Sequence, residues 1–136
     1  MGKTVNDLTL DDEHMTVGSS DTLQEAAKRL LSVPGGILVV LDDNNGVKGV
    51  LGQRQMVKAL SEGVDASKDQ CHEHMEMDFM KVQLSDDLKS VLSDIQLRSP
   101  QAVVAVNDED EFVGYFSPSD YQEAVTLVKN LKDLNL

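Results

Sequence analysis

The sequence predicts an α+β fold made of two β-α-β-β-α repeats, and three observations predict it. Shifting the 136-residue chain by 65 positions lays residues 16–60 on residues 81–125 without a gap. Hydrophobic periodicity switches between strand-like and helix-like in the same order in both copies. Either copy alone is about the size at which a core becomes marginal, whereas a chain of this full length buries roughly two-thirds of its unfolded surface. The two halves are therefore expected to share a core, divided as residues 1–65 (an N-terminal arm and the first repeat) and 66–136 (a connector, the second repeat and an extended C-terminal helix).

The pairing of the copies is carried more by pattern than by identity. Val17 falls on Val82, Ser20 on Ser85, Asp21 on Asp86, Leu23 on Leu88, Val39 on Val104, Gly49 on Gly114 and Ala59 on Ala124. Each copy opens with a short strand, near Thr16–Val17 and Lys81–Val82. A helix follows. Leu23, Ala26, Ala27, Leu30 and Leu31 recur at i, i+3, i+4, i+7 and i+8, one apolar face; Leu88, Val91, Leu92 and Ile95 repeat the spacing. Ser20 or Asp21, and Ser85 or Asp86, are expected to cap these helices, with Asp21 and Gln24 resembling a capping box.

Next comes "ILVVLDDNNGVKGVL". The continuous β-branched run reads as a buried strand, and Asn-Gly signals a tight hairpin because both residues tolerate positive φ. The twin, "AVVAVNDEDEFVGYF", turns through four acids with no glycine, so a looser or differently shaped turn is expected there. Those acids lack calcium-loop spacing and read as a solvated turn. The second helix of copy one spans 53–62 and stops near Gly63. In copy two it begins at Ser119 or Asp120 and continues: Ala124, Leu127, Val128, Leu131 and Leu134 form a stripe that either meets a partner subunit or folds back on its own core. Between the copies, "SEGVDASKDQCHEHMEMD" reads as a polar connector.

Twelve Lys and Arg against 24 Asp and Glu give a net charge of −12. That repels nucleic acid and anionic membrane surfaces. The one cysteine, Cys71, cannot form an internal disulfide, which fits a reducing compartment. The polar, acidic N-terminus is no secretory signal, and no apolar run approaches a membrane span. A soluble cytoplasmic protein is expected.

One difference between the copies bears on function. "GYFSPSDYQEA", residues 114–124, overlies "GVLGQRQMVKA", residues 49–59. Ser117 and Asp120 in the later copy replace Gly52 and Gln55 in the earlier one. A carboxylate accepts two hydrogen bonds from a vicinal diol, and the N–H groups at a helix start favour oxygen-rich or anionic groups. Ser-Pro-Ser-Asp is equally an ordinary way to begin a helix, with Pro118 in the first turn and Ser119 a possible cap.

The duplication, the apolar strand, "D-x-x-x-x-x-G" and "G-h-h-[ST]-x-x-D" together resemble the tandem cystathionine-β-synthase (CBS) domain pair, or Bateman module, over residues 16–128. The resemblance implies two repeats packed sheet against sheet about a pseudo-two-fold axis, two related clefts, and association into a homodimer. It also implies binding of an adenosine-containing metabolite: AMP, ADP, ATP, S-adenosylmethionine or a relative. By position, Ser117 takes the hydroxyl role toward phosphate or ribose, Asp120 the ribose role, and Gly114 permits close backbone approach. Met80, Val82, Ala102 and Val103 are the implied adenine slot, and Tyr121 could stack on base or ribose; ordinary core packing explains the same five residues. Copy one lacks both polar residues, so one competent inter-repeat cleft is expected. The net charge favours neutral, cationic or Mg²⁺-paired ligands over free ATP. Arg54 and Lys58 could reach a phosphate but also read as surface charges.

Cys71, His72 and His74 match no standard zinc spacing, so no metal is expected. No P-loop, nucleophile elbow or HExxH is present, and the protein is not expected to be an enzyme. The function read from the sequence is a regulatory ligand-sensing module acting on an unknown protein. The alternative is a ligand-free dimerising or adaptor module of the same fold.

Overall fold

The computed structural model describes residues 2–10 and 14–134, and the side chains among them as far as Lys129. After a short 3-10 turn at Val5–Asp7, the elements are β1 (His14–Gly18), α1 (Leu23–Leu30), β2 (Ile37–Leu41), β3 (Val47–Leu51) and α2 (Gln53–Ser61). A second 3-10 turn at Cys71–Glu73 precedes β4 (Phe79–Gln83), α3 (Leu88–Arg98), β5 (Ala102–Val106), β6 (Phe112–Phe116) and α4 (Pro118–Leu134). Each repeat is a three-stranded sheet, in order β1-β2-β3 and β4-β5-β6. The first pair is parallel and the second antiparallel in both sheets, with Val39 opposite Val50 and Val104 opposite Tyr115.

The central strands explain the shared core. β5 is buried along its whole length, and Leu38, Val39 and Val40 of β2 are fully buried. Alternate residues serve different layers. Leu38 and Val40 pack under the helices of the first repeat, and Val103 and Ala105 under those of the second. Val39 and Val104, one from each repeat, meet Val47 and Val106 in a third cluster between the sheets. The Phe112 N–H donates to Asn45 O across this junction at 2.9 Å. The sheet-on-sheet, doubled architecture is thus as predicted.

Two local expectations are corrected. The caps of α1 and α3 are Thr22 and Asp87, which accept from the N–H groups of Glu25 and Ser90. Asp21 and Asp86 instead accept from Gly18 and Gln83, one turn earlier. The two hairpins also share one geometry, although only the first contains glycine. Asn45 and Asp110 hold the same left-handed position, at φ 66° and 63°, a region Asp tolerates nearly as well as Asn. Asp42 Oδ1 accepts the N–H groups of Asn44 and Gly46, and Asn107 Oδ1 accepts those of Glu109 and Glu111. Those bonds, Gly46 first, hold the Asp42 carboxyl below its ordinary range.

The connector, polar in sequence, is an integral part of the first repeat. Cys71 is fully buried in its core, with Val64, Ala66 and Met75 packed around it. Residues 2–10 do the same for the second repeat: Val5 and Leu8 are buried with Met80, Val82 and Leu88. The two segments correspond bond for bond. Cys71 and His72 donate to Asp21 O and Ser19 O; Val5 and Asn6 donate to Asp86 O and Leu84 O.

α4 folds back on its own core through Ala124, Leu127 and Val128. The side chains of Leu131 and Leu134 lie outside the described residues. Among the described residues, no helix is long and apolar enough to cross a membrane.

Candidate functional site

β6 delivers the chain to the start of α4 at Ser117, and the turn there closes on itself. Ser117 Oγ accepts the Asp120 N–H at 3.1 Å and donates to Asp120 Oδ2 at 3.0 Å. The Ser117 N–H donates to the same Oδ2, also at 3.0 Å. Ser117, rather than Ser119, is therefore the cap, and Pro118 takes the first helical position, where no N–H is needed. Ser119 is exposed. Ser117 and Asp120 are the two buried polar residues of the described core, 5% and 2% exposed.

Beside this turn lies a cleft of about 250 Å³. Its walls include Ile95 of α3, Ala102 and Val103 at the start of β5, Tyr115 of β6, and Ser117 and Tyr121. Four residues proposed from sequence thus come together there: Ser117, Tyr121, Ala102 and Val103. Gln96 Nε2 donates to the Tyr121 hydroxyl at 3.3 Å, which holds the ring at the cleft wall. Asp120 stands behind Ser117, outside the lining. Met80 and Val82 point into the core beside Val5 and Leu8. Gly114 does permit a close backbone approach, but by Leu10: an added Cβ would stand 2.7 Å from Leu10 Cβ and 3.1 Å from Leu10 O.

Where an inter-repeat cleft was expected, every wall of this hollow among the described residues belongs to the second repeat. Residues 2–10 cover the far side of β6, where Leu10 O accepts the Tyr115 N–H at 3.3 Å. The hollow that remains opens between α3 and α4. Ile95 and Tyr115 were missed as wall residues because both fit a simple core pattern; only their position beside Ser117 marks them.

The corresponding region of the first repeat is different in chemistry. A hollow of about 410 Å³ between α1 and α2 is lined by Leu30, Leu31, Met56, Val57 and Leu60 among others, with Gln53 its one polar residue. Leu31, Val57 and Leu60 are strongly exposed. A third hollow of about 150 Å³ brings Arg54 and Lys58 beside Gln55 and His74.

Residues 5–62 match the family model of the CBS domain. The chain has the fold of a CBS-domain pair. A protein from Vibrio cholerae described as an acetoin utilization protein superposes with a TM-score of 0.75 at 23% identity, over 99% of this chain and 96% of that one. A CBS domain pair/ACT domain protein from Thermotoga maritima gives 0.71 at 18% identity, over 90% and 96%. CBSX2, in a complex with AMP, gives 0.73 at 19% identity, over 94% and 99%. No curated protein matches the chain by sequence. The Ser117/Asp120 turn of the second repeat and the Gly52/Gln55 turn of the first stand at corresponding places, 65 residues apart.

Proposed function

We propose that this CBS-domain pair is a regulatory module that binds an adenosine-containing metabolite in the α3–α4 cleft beside Ser117. The observation that carries the reading is the convergence of an apolar slot, an aromatic ring and a buried hydroxyl–carboxylate pair. Ala102, Val103 and Ile95 offer the base an apolar wall, and Tyr121 offers a stacking face. Ser117 Oγ lies at the cleft, and the Asp120 carboxylate behind it supplies the acceptor for ribose hydroxyls once the turn opens toward the ligand. At about 250 Å³ the cleft is somewhat below the roughly 300–1,000 Å³ of sites that engulf drug-sized ligands. It fits base and ribose, with any phosphate or aminoacyl tail outside. The complex of CBSX2 with AMP supports the same ligand class.

The first-repeat hollow has no matching polar pair, so one site per chain is the consistent reading. Tyr115 connects that site to the rest of the fold. It lines the cleft and donates through its backbone to Leu10, in the segment that leads to β1. Ligand that shifts β6 thus acts on the first repeat, and a partner reads the shift. Binding must favour one arrangement over the other to do so. The module has no catalytic role in this reading.

A thermal-shift screen against adenine nucleotides and S-adenosyl compounds tests it. Ligand at 100 times its Kd stabilises the native state by about 2.7 kcal/mol, a clear rise in Tm. No rise with any of them favours the second reading, a ligand-free homodimeric adaptor. That reading draws on the apolar α1–α2 hollow with its exposed Leu31, Val57 and Leu60.

A further inference from the structure

We propose that Asp69, Glu73 and His74 form a binding site for a divalent transition-metal cation of the zinc class. The cysteine–histidine run of the connector resolves into two groups. Cys71 is fully buried in the core of the first repeat, and its Sγ faces Thr22 O at 3.7 Å. It is therefore turned away from the carboxylates and from solvent. His72 is exposed and its Nε2 pairs with Gln70 Oε1 at 2.8 Å. His74 points the other way. Its Nε2 lies 2.8 Å from Asp69 Oδ2, and one ligand atom each from Asp69, Glu73 and His74 lies within 4.8 Å of the others.

One imidazole and two carboxylates are a mixed nitrogen–oxygen set. Zinc-class ions take such donors at roughly 2.0–2.2 Å, which puts ligand atoms about 3.3 Å apart around a tetrahedral ion. The present spacings, 2.8 Å between His74 Nε2 and Asp69 Oδ2 and no more than 4.8 Å for the others, bracket that value. Calcium demands six to eight oxygens and is not matched. Imidazole with carboxylate suits zinc, cobalt or manganese, with water completing the shell.

The backbone beneath the ligands is clamped to the first repeat at several points. Asp69 O accepts the Leu23 N–H at 3.0 Å, Cys71 donates to Asp21 O at 2.8 Å, and His72 donates to Ser19 O at 3.1 Å. Asp69 and His74 side chains are largely buried, at 29% and 16% exposure. Arg54 and Lys58 share a hollow with His74 and oppose a cation there. The two ligand carboxylates and the net charge of −12 offset them.

The test is titration of the metal-free protein with Co²⁺, read by visible absorption, and with Zn²⁺, read by calorimetry. The expected result is one ion per chain. His74→Ala and Glu73→Gln should each weaken binding at least tenfold, and His72→Ala should leave it unchanged. Glu73 is exposed, so Glu73→Gln keeps the fold and serves as the decisive variant if His74→Ala unfolds. Absence of binding to the wild-type protein at millimolar ion overturns the proposal. So does His72→Ala weakening binding as much as Glu73→Gln.

Discussion

Gln55 and Asp120, 65 residues apart, close the same turn: Gln55 Oε1 accepts the Gly52 N–H at 2.7 Å, and Asp120 Oδ2 accepts the Ser117 N–H at 3.0 Å. Each reaches back three residues to a donor that the helix itself leaves unpaired. The shape is written twice because both helices need that acceptor. What copy two adds is a hydroxyl, a charge and full burial.

This separates structural from binding roles at Asp120. Gln55→Ala removes one acceptor from a half-buried turn and should cost about 1 kcal/mol. Asp120→Ala removes the carboxylate that accepts from both the N–H and the hydroxyl of buried Ser117 and should cost about 2–3 kcal/mol. Asp120→Asn keeps one carbonyl acceptor and nearly the same volume, so its cost should stay near 1 kcal/mol. It loses the second acceptor oxygen that a diol requires and should still weaken an adenosyl ligand at least tenfold. Urea unfolding and calorimetry read the two effects apart. Wild-type affinity in Asp120→Asn would remove Asp120 from the binding assignment.

Gly49 and Gly114 are paired in the same way. A Cβ on Gly49 would stand 2.7 Å from Met75 Cγ and Sδ and 2.9 Å from Glu76 O; on Gly114 it would meet Leu10. Glu76 also exchanges both backbone bonds with Val50, at 3.0 and 2.8 Å. On Gly114 the Cβ would have a single contact below 3 Å, to Leu10 Cβ, with Leu10 O at 3.1 Å. Gly49→Ala should therefore be the costlier change, with each in the range of about 1–3 kcal/mol for overpacking. Hydrogen exchange should show residues 2–10 loosened selectively in Gly114→Ala. Equal protection of that segment in both variants would contradict the asymmetry.

Much of this was legible in the chain, for physical reasons. The 65-residue shift exposed the repeats because period and polarity repeat even where identity does not: Val39 and Val104 pair under it within runs that read as buried strands, and the structure sets both between the sheets. Ser117 stood out because its twin is a glycine. The cleft walls did not stand out, because Ile95 has the spacing of any core residue. The roles of residues 2–10 and the connector were hidden by composition. Only Val5 and Leu8 in the first and Cys71 in the second are buried, and periodicity needs more apolar positions than that to register. The caps were misplaced by one residue because Ser20, Asp21 and Thr22 are all good caps, and backbone geometry alone decides among them.

Cys71 gives a pH prediction. Its folded pKa is raised from 9.0 to about 11, so the folded state holds the proton more tightly than the unfolded state. Its contribution is fully present below pH 9 and is lost as pH rises toward 11. The difference corresponds to about 2–3 kcal/mol. Stability should fall across that window in the wild type and fall less in Cys71→Ala, measured by urea unfolding at pH 8 and 10.5. At pH 8 a thiol reagent should label Cys71 slowly in the native protein and fast in denaturant.

The N-terminal segment makes the last prediction. Val5 is fully buried and Leu8 is 8% exposed, both in the second repeat's core, although they precede the first repeat in sequence. Their contacts close a loop of more than half the chain, and Leu88 N–H donating to Lys3 O at 2.8 Å fastens the segment. Removing two methyl groups in Val5→Ala should cost about 2 kcal/mol, near 0.8 kcal/mol per carbon plus a cavity term. Asn6→Ala, at an exposed neighbour, should cost less than about 0.5 kcal/mol. Because the segment holds Tyr115 through Leu10, Val5→Ala should also lower affinity at the α3–α4 cleft, and Asn6→Ala should not. If Val5→Ala destabilises the protein without touching ligand affinity, the link from the N-terminal segment through β6 to the cleft is severed, and the regulatory path must run elsewhere.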